Sequence, residues 1–177
     1  DIPIAIAAIL SGAMLSIAGT AMQCVLRNPL ASPYTLGISN AAAFGAAFSI
    51  IFLTGNMNAY STPISAFVMA MVATGLIILL TKVTRVSSET MVLAGIAISA
   101  IFSAGMTLMQ YIADPIQLSS IVTWTFGSVS HTNWKWDFVL LVVMLVAVLY
   151  FYPRRWDMNA MNAGDEVAKG LGVDTKR

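Results

Sequence analysis

The distribution of charge constrains this chain more than any other feature. No Asp, Glu, Lys or Arg occurs between Ile2 and Leu26, between Asn28 and Thr81, or between Thr90 and Ala113. A chain that folds in water has to wet its surface, and soluble domains do so with about 25% charged residues. Here the share is 10%, against 58% hydrophobic side chains and a mean hydropathy of +0.82. Uninterrupted apolar runs of this length describe an all-α integral membrane protein, and they exclude a soluble enzyme and a disordered tail. Nine basic residues against eight acidic ones leave a net charge of +1. That is far too little to track phosphates, so nucleic acid is not a partner. The single cysteine, Cys24, lies in an apolar run, so there is no disulfide framework.

A spanning helix needs roughly 20 mostly apolar residues to cross a hydrocarbon core about 30 Å thick. Five segments of a polytopic helix bundle are expected over residues 1–153: 2–26, 36–53, 60–81, 90–112 and 137–152, with residues 154–177 as a cytoplasmic segment. The first apolar stretch is too long for a signal peptide and lacks a basic leader. If the spans alternate, Arg27, Lys82, Arg85, Arg154, Arg155, Lys169, Lys176 and Arg177 share one side, and only Lys135 falls on the other. The excess of positive charge places that first side in the cytoplasm, with Asp1 outside and the C-terminal tail inside. A chain that begins outside without an initiator Met reads as the middle portion of a longer protein.

The faces of the segments differ. Small residues recur at four-residue spacing as Ala8, Gly12, Ser16 and Thr20 in the first segment, and as Gly37, Ala41, Gly45 and Ser49 in the second. Ala66, Ala70 and Thr74 form a shorter stripe in the third. Such stripes let helix backbones approach closely in lipid, and packing is the reading for these three. In the fourth segment the stripe is Gly95, Ser99, Ser103 and Thr107, and its hydroxyls leave two readings open: packing, or the lining of an aqueous path. The fifth segment is almost without small residues and is expected to face lipid.

Chemistry has few candidates. The first four segments hold no ionisable residue of the kind that marks proton relays or voltage sensors. His131 stands alone in an outside loop without ligand-spaced Cys or carboxylates, so neither a metal nor another cofactor is expected. Gly127-Ser128-Val129-Ser130-His131 lacks the orienting third group that a serine nucleophile and its base require. There is no GxxxxGK[ST] phosphate loop.

The connections are more informative. Asn28-Pro29 and Pro33 turn the chain sharply after the first segment. Ser87 or Ser88 is available to cap the fourth segment. Between Pro115 and Phe126 a short interfacial helix is expected, and Trp124, Trp134 and Trp136 suit the membrane–water boundary. After Arg154-Arg155, apolar anchors at Met158, Met161, Val167 and Leu171 alternate with Gly164, Gly170 and Gly172. Two short helices meeting at a glycine would offer a compact knob to a cytoplasmic partner; amphipathic turns lying on the membrane are the other reading.

Several of these stretches together resemble the permeases of ABC importers for iron chelates, haem and vitamin B12. They are Ser16-Ile-Ala-Gly-Thr-Ala-Met-Gln23, Arg27-Asn-Pro-Leu-Ala31, Leu36-Gly-Ile-Ser-Asn40, Val92-Leu-Ala-Gly-Ile-Ala-Ile-Ser99, Trp124-Thr-Phe-Gly-Ser128 and the run from Met158 to Val173. The likeness runs nearly the whole length. It implies about ten membrane helices per full subunit, of which the five here are the second to sixth, in the cytoplasmic (inner) membrane of a prokaryote. It also implies pairing with a second permease subunit, as a homodimer or pseudo-dimer, an ATP-binding subunit inside and a substrate-binding protein outside. ATP hydrolysis would belong to the separate subunit, so the chain would not be an enzyme.

By the same resemblance, Gly164, Asp165, Glu166, Gly170, Leu171 and Gly172 would seat on the ATPase. Ser87, Ser88 and Glu89 would stand at a cytoplasmic gate, and Ser99, Ser103 and Thr107 would line the path of a metal chelate, an iron–siderophore by preference over haem or cobalamin. The Arg-x-Pro-Arg stretch that the family carries before the first of these helices reads Asp1-Ile2-Pro3-Ile4 here, without its arginines. A permease of another ABC importer class is the alternative within transport, and a non-transporting membrane scaffold is the alternative outside it.

Overall fold

A computed structural model describes residues 1–26, 28–53, 60–84, 88–130 and 132–172, without the side chains of residues 81–84, 88, 89, 165 and 166. All regular structure among the described residues is helical. The helices are α1 (Ile2–Leu26), α2 (Ile38–Phe52), α3 (Ser61–Thr84), α4 (Ser88–Ile112), α5 (Pro115–Phe126), α6 (Trp134–Phe151), α7 (Arg155–Asn162) and α8 (Asp165–Gly170). Four of them, α1, α3, α4 and α6, are long and apolar enough to cross a membrane, while α2 has only 15 residues. Helix is the form such apolar segments take because lipid offers the backbone no hydrogen bonds. The fold is therefore a polytopic helical bundle.

The chain divides into two compact units, residues 1–32 with 128–177, and residues 33–127. In the second unit α2 is the hub, packed on α3, α4 and α5, and α3 also meets α4. Its core joins Ala47, Met109 and Ile121 with Phe44, Ile51 and Met106 around them. The Phe44 and Phe102 rings are tilted at 53° with centroids 5.7 Å apart, within the separation at which aromatic pairs attract.

α5 starts where the sequence instructs it. Asp114 accepts the Ile116 and Gln117 amide protons at 2.9 and 2.8 Å, and the Asp114 N–H donates back to Gln117 Oε1 at 3.1 Å. This reciprocal cap, with Pro115 at the first position, satisfies amides that the helix cannot.

In the first unit α1 packs on α6 and α7. Ser16, Thr20 and Cys24 line a cleft of about 370 Å³ together with Phe151, Tyr152 and Met158, which brings the C-terminal part of α1 next to the C-terminal end of α6. α6 opens at Trp134, ahead of its apolar run, because the Asn133 side chain accepts the Lys135 and Trp136 amide protons at 3.1 and 3.3 Å. At its other end Arg154 donates to the Tyr150 carbonyl and Arg155 to the Tyr152 carbonyl, both at 2.9 Å. Each guanidinium also lies over the ring of the same tyrosine, at 4.0 and 4.1 Å. Cations there answer the carbonyls and the negative end of the helix dipole.

Candidate functional site

The turn after α1 is built by its own side chains. Asn28 Oδ1 accepts the Leu30 amide proton at 2.9 Å, and Gln23 Nε2 donates to the Pro29 carbonyl at 3.0 Å. With Pro29 unable to donate, these bonds replace those the helix gives up.

In the second unit the chain enters α2 through Gly37, which adopts φ 73°. Gly37 lies so close to α4 that an added Cβ would stand 2.7 Å from the Ser99 Cα. A Cβ at Gly95 would likewise meet Leu36 at 2.8 Å. Two glycines, one on each side, therefore let the turn rest directly on α4.

The same contact carries a polar node. Asn40 Nδ2 donates to Ser99 Oγ at 2.7 Å and to Ser103 Oγ at 3.1 Å. Thr107 Oγ1 donates back to the Ser103 carbonyl at 3.0 Å. The three α4 hydroxyls thus form one stripe, with Ser99 half-buried and Ser103 and Thr107 exposed. Both readings of the stripe find something here. Ser99 takes part in packing through Asn40, and the outer two residues present an open, hydroxylated face. Asn40 was not singled out from sequence, because nothing in the linear order shows that it stands one turn into α2 opposite two serines some sixty positions on.

Of the three gate candidates, Ser87 lies outside the described residues, as does His131. Ser88 and Glu89 begin α4, with their side chains outside the description.

The six tail candidates lie at and beyond the junction of α7 and α8. Gly164 sits between these helices at φ 118° and ψ 153°, a conformation that essentially only glycine adopts. The Gly164 carbonyl accepts the Ala168 amide proton at 2.9 Å, which starts α8. Asp165 and Glu166 form its first turn, with side chains outside the description. Gly170 ends the helix, Leu171 follows exposed, and Gly172 turns the chain at φ 80°. α7 and α8 pack on each other, and one alanine from each, Ala160 and Ala168, is buried. Two short helices meeting at a glycine are therefore present. No cluster of His, Cys, Asp and Glu that would hold a metal ion occurs among the described residues.

The FecCD transport family matches residues 1–177. A protein of Methanocaldococcus jannaschii named as an ABC transporter permease is 46% identical, over 99% of this chain and 53% of its own length. The Fe(3+)-citrate import system permease protein of Bacillus subtilis is 34% identical, over 99% of this chain and 52% of its own. A solved structure described as an inward-facing conformation of a metal-chelate type ABC transporter superposes with a TM-score of 0.85 at 30% identity. It covers 98% of this chain, which covers 55% of it. The chain spans about half the length of the curated relatives it matches.

Proposed function

The chain belongs to the FecCD transport family, and on that premise we propose that it forms part of the membrane-spanning permease of an ATP-driven importer of a metal chelate, by preference an iron–siderophore. The observation that carries this reading is the family match along the whole chain, joined to the helix pair α7–α8 that follows the last long apolar helix. The permease works in the cytoplasmic (inner) membrane of a prokaryote with the α7–α8 tail inside. A second permease subunit completes it, as a homodimer or pseudo-dimer. An ATP-binding subunit seats on the tail and a substrate-binding protein delivers the chelate from outside.

The chain's own part is mechanical. The ATP-binding subunit closes on its nucleotide and displaces the segment from Gly164 to Gly172, including Asp165, Glu166, Gly170 and Leu171. The bundle then shifts between inward- and outward-open arrangements because each is favoured by different contacts on that segment. The chelate passes along the hydroxyl face of α4, from Thr107 and Ser103 past Ser99 toward the gate at Ser87, Ser88 and Glu89. Such a path holds no strong fixed site, so the binding protein supplies most of the selectivity. Hydrolysis belongs to the ATP-binding subunit.

A cysteine placed at Glu166, with Cys24 replaced, tests the partner. Crosslinking in native membranes followed by mass identification is expected to recover an ATP-binding subunit. Recovery of none, with the cysteine shown to be reactive, would instead favour a membrane scaffold. Uptake assays with labelled siderophore, haem and cobalamin then separate the cargoes, and uptake of either of the last two alone would overturn the siderophore preference.

A further inference from the structure

α6 is exposed along most of its length, and only Asp137, near its start, is buried. Its far end carries a different chemistry. The apolar run closes on Tyr150 and Tyr152, and Arg154, Arg155 and Trp156 follow, all five exposed. Tyrosine and tryptophan collect at the depth of the lipid headgroups, where their rings meet hydrocarbon on one side and water on the other. Arg154 spends one N–H on the Tyr150 carbonyl and Arg155 one on that of Tyr152, and neither forms an ion pair among the described residues. Most donors of both guanidinium forks therefore lack a protein acceptor there. Arg155 also borders the cleft of about 370 Å³, whose walls include Ile17, Thr20, Val148, Phe151 and Met158. A largely apolar hollow and a cation with donors to spare thus share one edge, inside one compact unit.

We infer that this cleft seats one hydrocarbon chain of an anionic phospholipid, with the lipid phosphate held by Arg155. Charge complementarity selects the occupant. A protein segment could fill the apolar walls, but to answer Arg155 it would have to carry a carboxylate to the edge of the hydrocarbon, which is costly. A phospholipid brings its anion to that depth as part of its own structure. The guanidinium fork matches phosphate oxygens two at a time, and a lipid without a cation of its own leaves that phosphate uncompensated. The cleft lies within the range of small-ligand sites, about 300–1,000 Å³, so it takes the upper part of one chain and leaves the rest of the lipid outside. Arg154, over the Tyr150 ring and outside the cleft lining, contributes only to the local positive potential. The inference rests on the membrane character of the chain, and neither the cargo nor the ATP-binding subunit enters it.

The test uses the complete permease purified in detergent, titrated with phosphatidylglycerol or phosphatidylcholine and read by native mass spectrometry. The unsubstituted permease is expected to retain phosphatidylglycerol about fivefold better than phosphatidylcholine. Arg155→Gln should remove that preference, and Thr20→Trp, which fills the cleft, should remove the retention itself. Arg154→Gln should keep most of both. Equal retention of the two lipids, retention of neither, or an unchanged preference in Arg155→Gln would overturn the inference. An equal loss in Arg154→Gln would do the same, since it would reduce the effect to general positive potential. Because the variants risk misfolding, the unsubstituted permease is also irradiated with phosphatidylglycerol that carries a photoreactive group in its chain. Label is expected near Ile17 and Thr20 in α1 and near Val148 and Phe151 in α6. Label confined to other segments would mean that another part of the permease covers the cleft, and would overturn the site.

Discussion

Gly37 rests against the backbone of Ser99, with room for no side chain between them: an added Cβ would lie 2.7 Å from the Ser99 Cα and 2.8 Å from its Cβ. Two independent demands fall on the one glycine, the left-handed φ of 73° and the close approach.

Gly37→Ala is therefore expected to destabilise the permease by about 2 kcal/mol or more, from the left-handed conformation and the overpacking together. Thermal melting in detergent reads this directly. Gly75→Ala in α3 is the control, since Gly75 is exposed and a Cβ there meets nothing within 4 Å. It should leave the melting temperature unchanged or raise it slightly, because alanine favours a helix interior by roughly 0.5–1 kcal/mol. Equal losses in the two variants would remove the special role of the Gly37 contact.

Asn40 joins α2 to α4 through two hydrogen bonds. Such bonds between membrane helices are worth about 0.6 kcal/mol on average, so Asn40→Ala should cost on the order of 1 kcal/mol. Ser99→Ala should then cost less in the Asn40→Ala background than alone. Additive losses in this double-mutant cycle would show that the two side chains do not act together.

Ser103 stands on the exposed part of the α4 hydroxyl stripe. Ser103→Trp is expected to abolish chelate uptake in vesicles while the permease still assembles with its ATP-binding subunit. Normal uptake would return the whole stripe to packing.

Gly164→Ala introduces backbone strain of about 1–3 kcal/mol at the α7–α8 junction without any steric contact, since nothing lies within 4 Å. The expected result is reduced stimulation of ATP hydrolysis by the permease, with assembly retained. Glu166→Lys should act in the same direction. Stimulation unaltered in both would count against a coupling role for the segment.

Much of the helical architecture can be followed from the primary structure, and the reasons differ by element. α1 ends at Leu26 just ahead of the Asn28-Pro29 turn, and α5 occupies Pro115–Phe126 behind an Asp-Pro start, because local capping chemistry sets both ends. α6 begins before its apolar run because Asn133, a polar residue that hydropathy ignores, opens it. The glycine between α7 and α8 was visible as a break in a patterned tail. The Asn40 node and the burial of Asp137 were not visible, since both depend on which helix faces come together, and small residues on every face of α2 leave that choice to tertiary packing. The stripe on α4 was legible as a stripe, but its division between packing and an open face appears only once Asn40 is opposite it.

The brevity of α2 bears on the lipid around it. Fifteen residues rise about 22 Å, some 8 Å less than a typical hydrocarbon thickness. An irregular backbone at such depth survives only where protein or water, rather than acyl chains, surrounds it. Leu36 and Gly37, buried at the start of α2, meet that condition by leaning on α4. If α2 stands upright in the bilayer, its shortfall is met by thinning of the membrane beside it, by water reaching the turn at Gly37, or by the α4 surface that already covers that turn.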